Sequence, residues 1–199
     1  LPINQCFRLI SVFALLQLLL GSAVLAQTQF NPYYGKNRVK YDKFDWYIYE
    51  TDHFEIYYYP ELEQHLERVA SYAESAYQHV SANLRHELAF PVPLVVFKTH
   101  SEFEQQNIIP GSSPEGVGAF AEPYRNRIAL PIDEPPDGLY RLINHELTHI
   151  FAFDIIPRSI LRSSVPLWVD EGLADFMAGV WRPLDIMMVR DVAVSDEVP

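Results

Sequence analysis

Hydrophobic and polar residues follow two different periods along the chain, and each change of period marks a predicted element. Residues 44–50 and 54–59 are rich in aromatic side chains and are separated by polar residues 51–53, which is typical of a hairpin. Residues 60–87 carry a broad apolar stripe with a period of about 3.6 residues, which predicts a long helix. Residues 92–98 form a β-branched apolar run, which predicts another strand.

The middle of the chain predicts a short helix, a loop and a second hairpin. We expect the short helix at residues 101–107, and the glycine, proline and serine of residues 111–118 predict a loop. Residues 117–121 and 127–131 are apolar runs on either side of a polar turn, so we expect them to pair as strands.

Two further helices are predicted in the last part of the sequence. The first covers residues 139–154, with Asp137 as its expected N-cap and Pro157 as its end. The side that it is expected to bury carries five apolar residues: Leu142, Ile143, Leu147, Ile150 and Phe151. Pro166 is expected to open the second helix, at residues 167–178. Together these elements predict an α+β fold with a small mixed sheet.

The first 26 residues differ from the rest and have the pattern of a secretory signal peptide. Arg8 is their only charged residue, and an apolar run extends over residues 9–25. Small or β-branched residues precede Gln27, which favours cleavage there, and an uncleaved membrane anchor is the alternative. Either way, we expect the rest of the chain to be exported.

The remaining composition is that of one acidic domain without thiols. Residues 27–43 are expected to be a loose lead-in, and residues 44–199 one domain that continues past the given C-terminus. The single cysteine, Cys6, precedes the apolar run, so we expect no lipidation, no disulfide and no cysteine ligand for a metal. Without Arg8, 14 basic residues stand against 26 acidic residues, a net charge of −12. This charge argues against nucleic acid as a partner and gives no support for binding to anionic lipid.

Residues 145–149 read His-Glu-Leu-Thr-His, which is the HExxH pattern of zinc hydrolases. Positions four apart share one face of a helix, so His145 and His149 can bind a single ion. Glu146 lies between them, where it can take a proton from a water that the metal activates. A chance match is the alternative, and residues 86–90, His-Glu-Leu-Ala-Phe, copy the pattern but lack the second histidine.

Catalytic zinc usually has three protein ligands, so a third is needed. Asp170, Glu171 and Asp175 lie on the next predicted helix. The spacing favours Glu171, because Asp175 shares its face and can accept the free ring N–H of a zinc-bound histidine. Asp170 has no such companion four residues on, and a solvated acidic face is the alternative for all three. Gly172 is expected to let this helix approach the histidine helix closely.

The HExxH pattern followed by Pro-Leu-Trp-Val-Asp-Glu-Gly-Leu-Ala at residues 166–174 resembles the gluzincin peptidases, specifically the bacterial peptidase-MA-like domains. Residues 44–46, 51–54 and 114–118 are also similar to exported bacterial proteins of this group. The resemblance spans most of residues 40–180. Members of the group often carry TolB-type β-propeller repeats after the peptidase domain, and this sequence contains no such repeat.

The resemblance implies a fold and a chemistry. The fold is a zincin-like domain, in which a mixed sheet with an edge hairpin packs on a long first helix and on the HExxH helix. The chemistry uses one Zn²⁺ ion, with Glu171 as the third ligand and Asp175 as the residue that orients a zinc-bound histidine. Gluzincins also bind a peptide antiparallel to an edge strand before the HExxH helix, which here implies Gly118, Ala119 and Phe120. A surface hairpin whose glycines serve only the turn is the alternative.

Two functions are compatible with these features. The first is an exported zinc metallopeptidase in the periplasm or cell envelope of a bacterium, which acts on a peptide or protein and has envelope proteins as further partners. It would contact the membrane only if the signal segment stayed uncleaved. The second is a catalytically inactive zincin-fold binding or scaffold module, because no transition-state donor can be named after the motif. The intact Glu146 favours the enzyme, since a binding module needs no general base.

Overall fold

The structure is a computed structural model that describes residues 42–106, 118–156, 165–179 and 181–195. These residues all belong to one compact unit, Lys40–Pro199. Four sequence predictions fall wholly or mostly outside the described residues, and they remain predictions: the signal peptide, the lead-in, the glycine-rich loop and the helix end at Pro157.

Five strands form one mixed sheet in the described part of the chain. They are β1 Tyr47–Glu50, β2 Phe54–Tyr58, β3 Val92–Phe97, β4 Phe120–Glu122 and β5 Arg127–Pro131. Their order is β1-β2-β3-β5-β4, with β3 parallel to both of its neighbours and an antiparallel pair at each edge. Both predicted hairpins are therefore confirmed, and each forms one edge of the sheet. β4 is shorter than predicted and is shifted toward the turn.

The helices predicted at residues 60–87, 139–154 and 167–178 agree with the structure over most of their length, whereas the short helix predicted at residues 101–107 begins at His100 and already ends at Phe103. The helices are α1 Leu66–Leu84, α2 His100–Phe103, α3 Pro136–Ile155, α4 Leu167–Ala178 and α5 Pro183–Ser195, and a 3₁₀ segment at Pro60–His65 precedes α1. The first helix ends three residues earlier than predicted, because Arg85 adopts a left-handed conformation with φ 53°. α4 has the predicted bounds, although Pro166 is the residue before the helix rather than part of its first turn.

The main core lies between one face of the sheet and the packed pair α1 and α3. Alternate strand residues point to this face, and Phe54, Ile56 and Leu94 are fully buried there. Four of the five apolar residues predicted for the buried side of α3 are also fully buried: Ile143, Leu147, Ile150 and Phe151. Leu142 is only half-buried, contrary to the prediction, because it borders an open cavity.

The start of α3 differs from the prediction. The helix begins at Pro136 and its N-cap residue is Pro135, so Asp137 lies inside the first turn and does not cap the helix. A proline is well suited to the first turn because it has no backbone N–H and its φ is already close to the helical value. Asp137 still lies near the positive end of the helix dipole, where its carboxylate is favourable.

α5 is a helix that the sequence pattern did not assign. None of its residues is buried, and the apolar side chains of Leu184, Met187 and Val189 are exposed. Gly179, with φ 71°, separates it from α4 in a conformation that suits glycine. Within the ranges that the structure describes, no helix is both long enough and apolar enough to cross a bilayer.

Candidate metal centre

Helix α3 fixes the positions of two histidines. Because Ile143, Leu147 and Ile150 are fully buried, the helix cannot rotate about its axis without exposing them. His145 and His149 lie one turn apart, with side chains only 16% and 10% exposed. Their Nε2 atoms are 3.3 Å apart. The four-residue spacing therefore places two nitrogen donors side by side, on a helix whose orientation is fixed by the core.

Helix α4 brings a carboxylate to the same point. Oε2 of Glu171 lies 3.3 Å from Nε2 of His145 and 3.8 Å from Nε2 of His149. One ligand atom from each of these three residues lies within 4.8 Å of the others, so the group could hold a metal ion. The sequence prediction that these three residues meet is confirmed. Two imidazole nitrogens and one carboxylate oxygen are a donor set that Zn²⁺ accepts.

Carboxylates on α4 also face the outer nitrogens of both rings. Oδ1 of Asp175 is 3.1 Å from Nδ1 of His145, and Oδ1 of Asp170 is 3.5 Å from Nδ1 of His149. An Nδ1–H that donates to a carboxylate leaves a lone pair on Nε2, and here both Nε2 atoms point to the common centre. Two lone pairs this close repel each other unless a cation lies between them. Burial, together with the neighbouring His149, lowers the pKa of His145, which favours the neutral ring that a metal ligand needs.

Sequence reasoning set aside one residue of the centre and missed another. Asp170 was a less favoured candidate for the third ligand because no acidic partner follows it four residues on, and the structure places it beside the second histidine. Arg141 lies on α3 one turn before His145, and its Nη2 is 2.6 Å from Oδ1 of Asp175. The signal that could have found Arg141 is its spacing, since positions 141, 145 and 149 form one stripe along a helix.

The expected role of Gly172 is wrong. A Cβ atom added at this residue would meet nothing within 4 Å. The glycine therefore does not allow a close approach of α4 to α3. Ala174, Met177 and Ala178 are instead the buried residues of α4, and they lie on a different face of the helix from Gly172.

Glu146 lies on the wall of the site and is almost fully buried. The residue as a whole is only 6% exposed. Burial, with the nearby charge of Glu171 as a second cause, raises the pKa of Glu146 to about 8, whereas a backbone N–H of Ala121 that donates to it acts in the opposite direction. A bound divalent cation would favour the carboxylate form, because opposite charges lower the pKa of an acid.

A cavity of about 550 Å³ connects the metal donors to the edge of the sheet. The residues that line it include Gly118, Ala119, Phe120 and Ala121 on one side, and His145, Glu146, His149 and Glu171 on the other. Among the described strands, β4 is at the edge and pairs only with β5. The structure thus places the predicted substrate-binding residues next to the centre, although their role remains a prediction.

Residues 86–90, which copy the first part of the HExxH pattern, lie in a different environment. His86 follows the end of α1, and its Nε2 is 2.7 Å from Oδ2 of Asp154 near the end of α3. This pair ties the two core helices together. Glu87, the next residue, is exposed and lies outside the cavity.

The chain matches no protein-family model, no curated protein and no solved structure. The likeness to gluzincins therefore remains a prediction from the motifs. What the structure adds is the geometry, in which three predicted ligands meet beside a buried glutamate.

Proposed function

We propose that this chain is an exported zinc metallopeptidase of the gluzincin type, with a zincin-like fold. The observation that carries the proposal is the convergence of His145, His149 and Glu171 on one point. Glu146 is buried on the wall of the same cavity. A buried carboxylate with a strongly raised pKa is unfavourable for stability and is typical of a functional site. Export, and a place in the periplasm or envelope, is supported by the sequence of the first 26 residues.

One zinc ion fits the donor set. Nε2 of His145, Nε2 of His149 and Oε2 of Glu171 would hold it, and three protein ligands leave a position open for water or substrate. When bound, zinc polarises the scissile carbonyl and makes water more acidic. Asp175 and Asp170 would keep the two rings oriented by accepting their Nδ1–H groups.

Glu146 is the general base of the proposed reaction. Its carboxylate would take a proton from the attacking water and pass that proton to the leaving amine. The N–H of Ala121 donates to Glu146 and so holds it toward the cavity. Because the residue is almost fully buried, bulk water has little access to its carboxylate and would not easily compete with the attacking water for it.

The edge strand β4 is the proposed support for the substrate backbone. Peptide groups alternate in direction along a strand, so a strand that continued from β4 back to Ala119 would direct the N–H of Ala119 to the same side as that of Ala121, which donates to Glu146. The N–H of Phe120 points the other way, toward β5. A peptide added to this edge would gain main-chain hydrogen bonds without a strong demand for particular side chains.

Proline substitutions test the substrate strand. Ala119→Pro removes a cavity-facing donor and should raise KM while zinc stays bound. Phe120→Pro removes a donor to β5 and should weaken the hairpin itself, so it is the structural control. An unchanged KM for Ala119→Pro would reject β4 as the binding edge.

The alternative function is an inactive binding or scaffold module with the same fold. Tyr140, the nearest tyrosine to the motif, lies with its hydroxyl 3.4 Å from Oγ of Ser75 on α1 and is not part of the cavity wall. No tyrosine lines the described part of the cavity. Arg141 and Arg182 are the arginines among the described residues that line it.

Hydrolysis of a peptide library decides between the two functions. The proposed enzyme cleaves peptides, loses activity with a chelator and recovers it with Zn²⁺. Glu146→Gln should bind zinc but lose about 10²–10⁴-fold in turnover, as expected for loss of a general base. Glu87→Gln is the matched control, because it changes the same His-Glu-Leu triplet at an exposed position outside the site. Normal turnover by Glu146→Gln, or zinc binding without any hydrolysis by the wild type, would favour the module.

A further inference from the structure

Arg141 is joined to the candidate metal centre by one carboxylate oxygen. Its Nη2 lies 2.6 Å from Oδ1 of Asp175, and the same oxygen lies 3.1 Å from Nδ1 of His145. A single carboxylate therefore stands between the guanidinium and a ring that presents its other nitrogen to Glu171. A charge-assisted hydrogen bond of this kind is short and strongly directional.

The two partners have very different surroundings. The Arg141 side chain is 15% exposed and belongs to a helix held by the core, whereas the Asp175 side chain is 52% exposed. Packing alone therefore leaves the carboxylate free to rotate or to turn to water. The link to Arg141 removes that freedom, because the oxygen must satisfy the guanidinium and the imidazole together.

The same link joins helix to helix. Asp175 and Glu171 are four residues apart on α4, so they project from one face of it. Fixing Asp175 against α3 therefore also fixes the distance of Glu171 from the two Nε2 atoms. The Arg141 contact lies one turn along α3 from the nearest histidine, so it sets the register of the two helices.

We propose that Arg141 is a positioning residue for the metal centre: through Asp175 it holds His145 in its ligand orientation and keeps Glu171 at coordination distance. The proposal rests on the metal-binding part of the proposed function. It does not need Arg141 to touch metal or substrate.

The sign of the effect separates positioning from simple electrostatics. A positive charge near the centre repels a cation, so removing any nearby arginine should strengthen metal binding if charge alone matters. Loss of a positioning residue should weaken binding instead. Substitutions of residues that orient metal ligands typically lower metal affinity about 10–100-fold.

The experiment is a competition titration of the full chain with Zn²⁺ against a chromophoric chelator, with circular dichroism to confirm folding. Arg141→Met should lower zinc affinity about 10-fold, and Arg141→Lys should restore part of the loss because lysine keeps the positive charge but lacks the planar, pre-organised guanidinium. Arg182→Met is the matched control, since it also removes a positive charge from the cavity wall, but its guanidinium pairs with Asp185. It should leave zinc affinity unchanged or slightly higher.

A double-mutant cycle tests whether Arg141 acts through Asp175. Asp175→Ala should lower zinc affinity about as much as Arg141→Met, and the double variant should be little weaker than Asp175→Ala alone. Additive losses, or unchanged or tighter binding by Arg141→Met, would overturn the proposal while leaving the peptidase function intact. A wild type that binds no zinc would overturn both.

Discussion

The two halves of the candidate metal centre are built on very different supports. The histidine half lies on α3, where the side chains of His145 and His149 are 16% and 10% exposed. The carboxylate half lies on α4, where the side chains of Glu171 and Asp175 are 49% and 52% exposed. The nitrogen donors are therefore positioned by hydrophobic packing, whereas the oxygen donors are positioned mainly by their polar partners.

The apolar residues of the two helices show the same contrast. Leu147, between the histidines, is fully buried, but Trp168 and Phe176 on α4 are 78% and 67% exposed. Burial of a leucine side chain is worth about 1.5–3 kcal/mol, and exposed side chains contribute little. A bound metal ion would therefore stabilise mainly the carboxylate half on α4, which has the weaker packing. The ion would link this half to the well-packed histidine half on α3.

The largest expected effect comes from the core of the histidine helix. Leu147→Ala should lower the free energy of unfolding by about 2–5 kcal/mol, because it leaves a cavity in the main core. Phe176→Ala, on the exposed face of α4, should change it by less than about 0.5 kcal/mol. Urea unfolding of the metal-free protein measures both. Equal losses for the two variants would remove the contrast between the helices.

Zinc should stabilise the protein by joining the two halves. At a free zinc concentration of 100 times Kd, the free energy of unfolding should rise by about 2.7 kcal/mol. Glu171→Ala should lose most of that gain, because it removes a ligand, yet without metal it should unfold like the wild type. Glu87→Ala, an exposed glutamate after α1, is the control and should keep the full gain. Thermal unfolding with and without Zn²⁺ gives the comparison.

Away from the metal centre, a partly exposed histidine–glutamate pair gives the stability of the fold a predictable pH dependence. Nδ1 of His53 lies 2.7 Å from Oε2 of Glu74, which joins α1 to the start of β2. Burial raises the pKa of Glu74, but hydrogen bonds from Thr51 and His53 outweigh it, and the net shift is downward.

A carboxyl with a lowered pKa in the folded state stabilises the protein above its ordinary value of 4.5, and the stabilisation is lost as the pH falls through the folded value. Glu74→Gln should therefore lower the free energy of unfolding by on the order of 1 kcal/mol at pH 7 and by less near pH 3. Urea unfolding at both pH values checks this, with the exposed Glu67→Gln as the control. A constant loss across that range would contradict the assignment.

The smallest expected effect is a gain in stability from a substitution on α4, the helix of the carboxylate half. Gly172→Ala should raise the free energy of unfolding by about 0.5–1 kcal/mol, because the site has open space and alanine favours the helix. Gly179→Ala should lower it, since that residue has φ 71°. Denaturant unfolding of both variants tests this, and a loss at Gly172 would mean that α4 lies closer to α3 than the structure shows.

The histidine half of the centre and the strands around it could largely be predicted from the sequence, for a physical reason. Helix α3 and the strands owe their positions to apolar periodicity, which is a local property of the sequence. The pairing of His145 with His149 follows from helical geometry alone. Leu142 was the exception, because periodicity does not show that one edge of the apolar stripe opens into a cavity.

The carboxylate half was harder to predict, because its contacts cross between elements. Glu171 and Asp175 were found through spacing and family likeness, but Asp170 was set aside although it lies beside His149. Arg141 was missed because its partner is 34 residues away in the sequence. Helix α5 buries nothing, so it has no amphipathic pattern to reveal it.

The three methionines of the chain differ sharply in their exposure to solvent. Met177, on the inner face of α4, is 3% exposed, whereas Met187 and Met188 on α5 are 60% and 59% exposed. Peroxide converts an accessible methionine to its sulfoxide and spares a protected one. Mass spectrometry of the oxidised protein therefore offers a chemical footprint, in which the protection of Met177 reports the docking of α4 independently of catalysis.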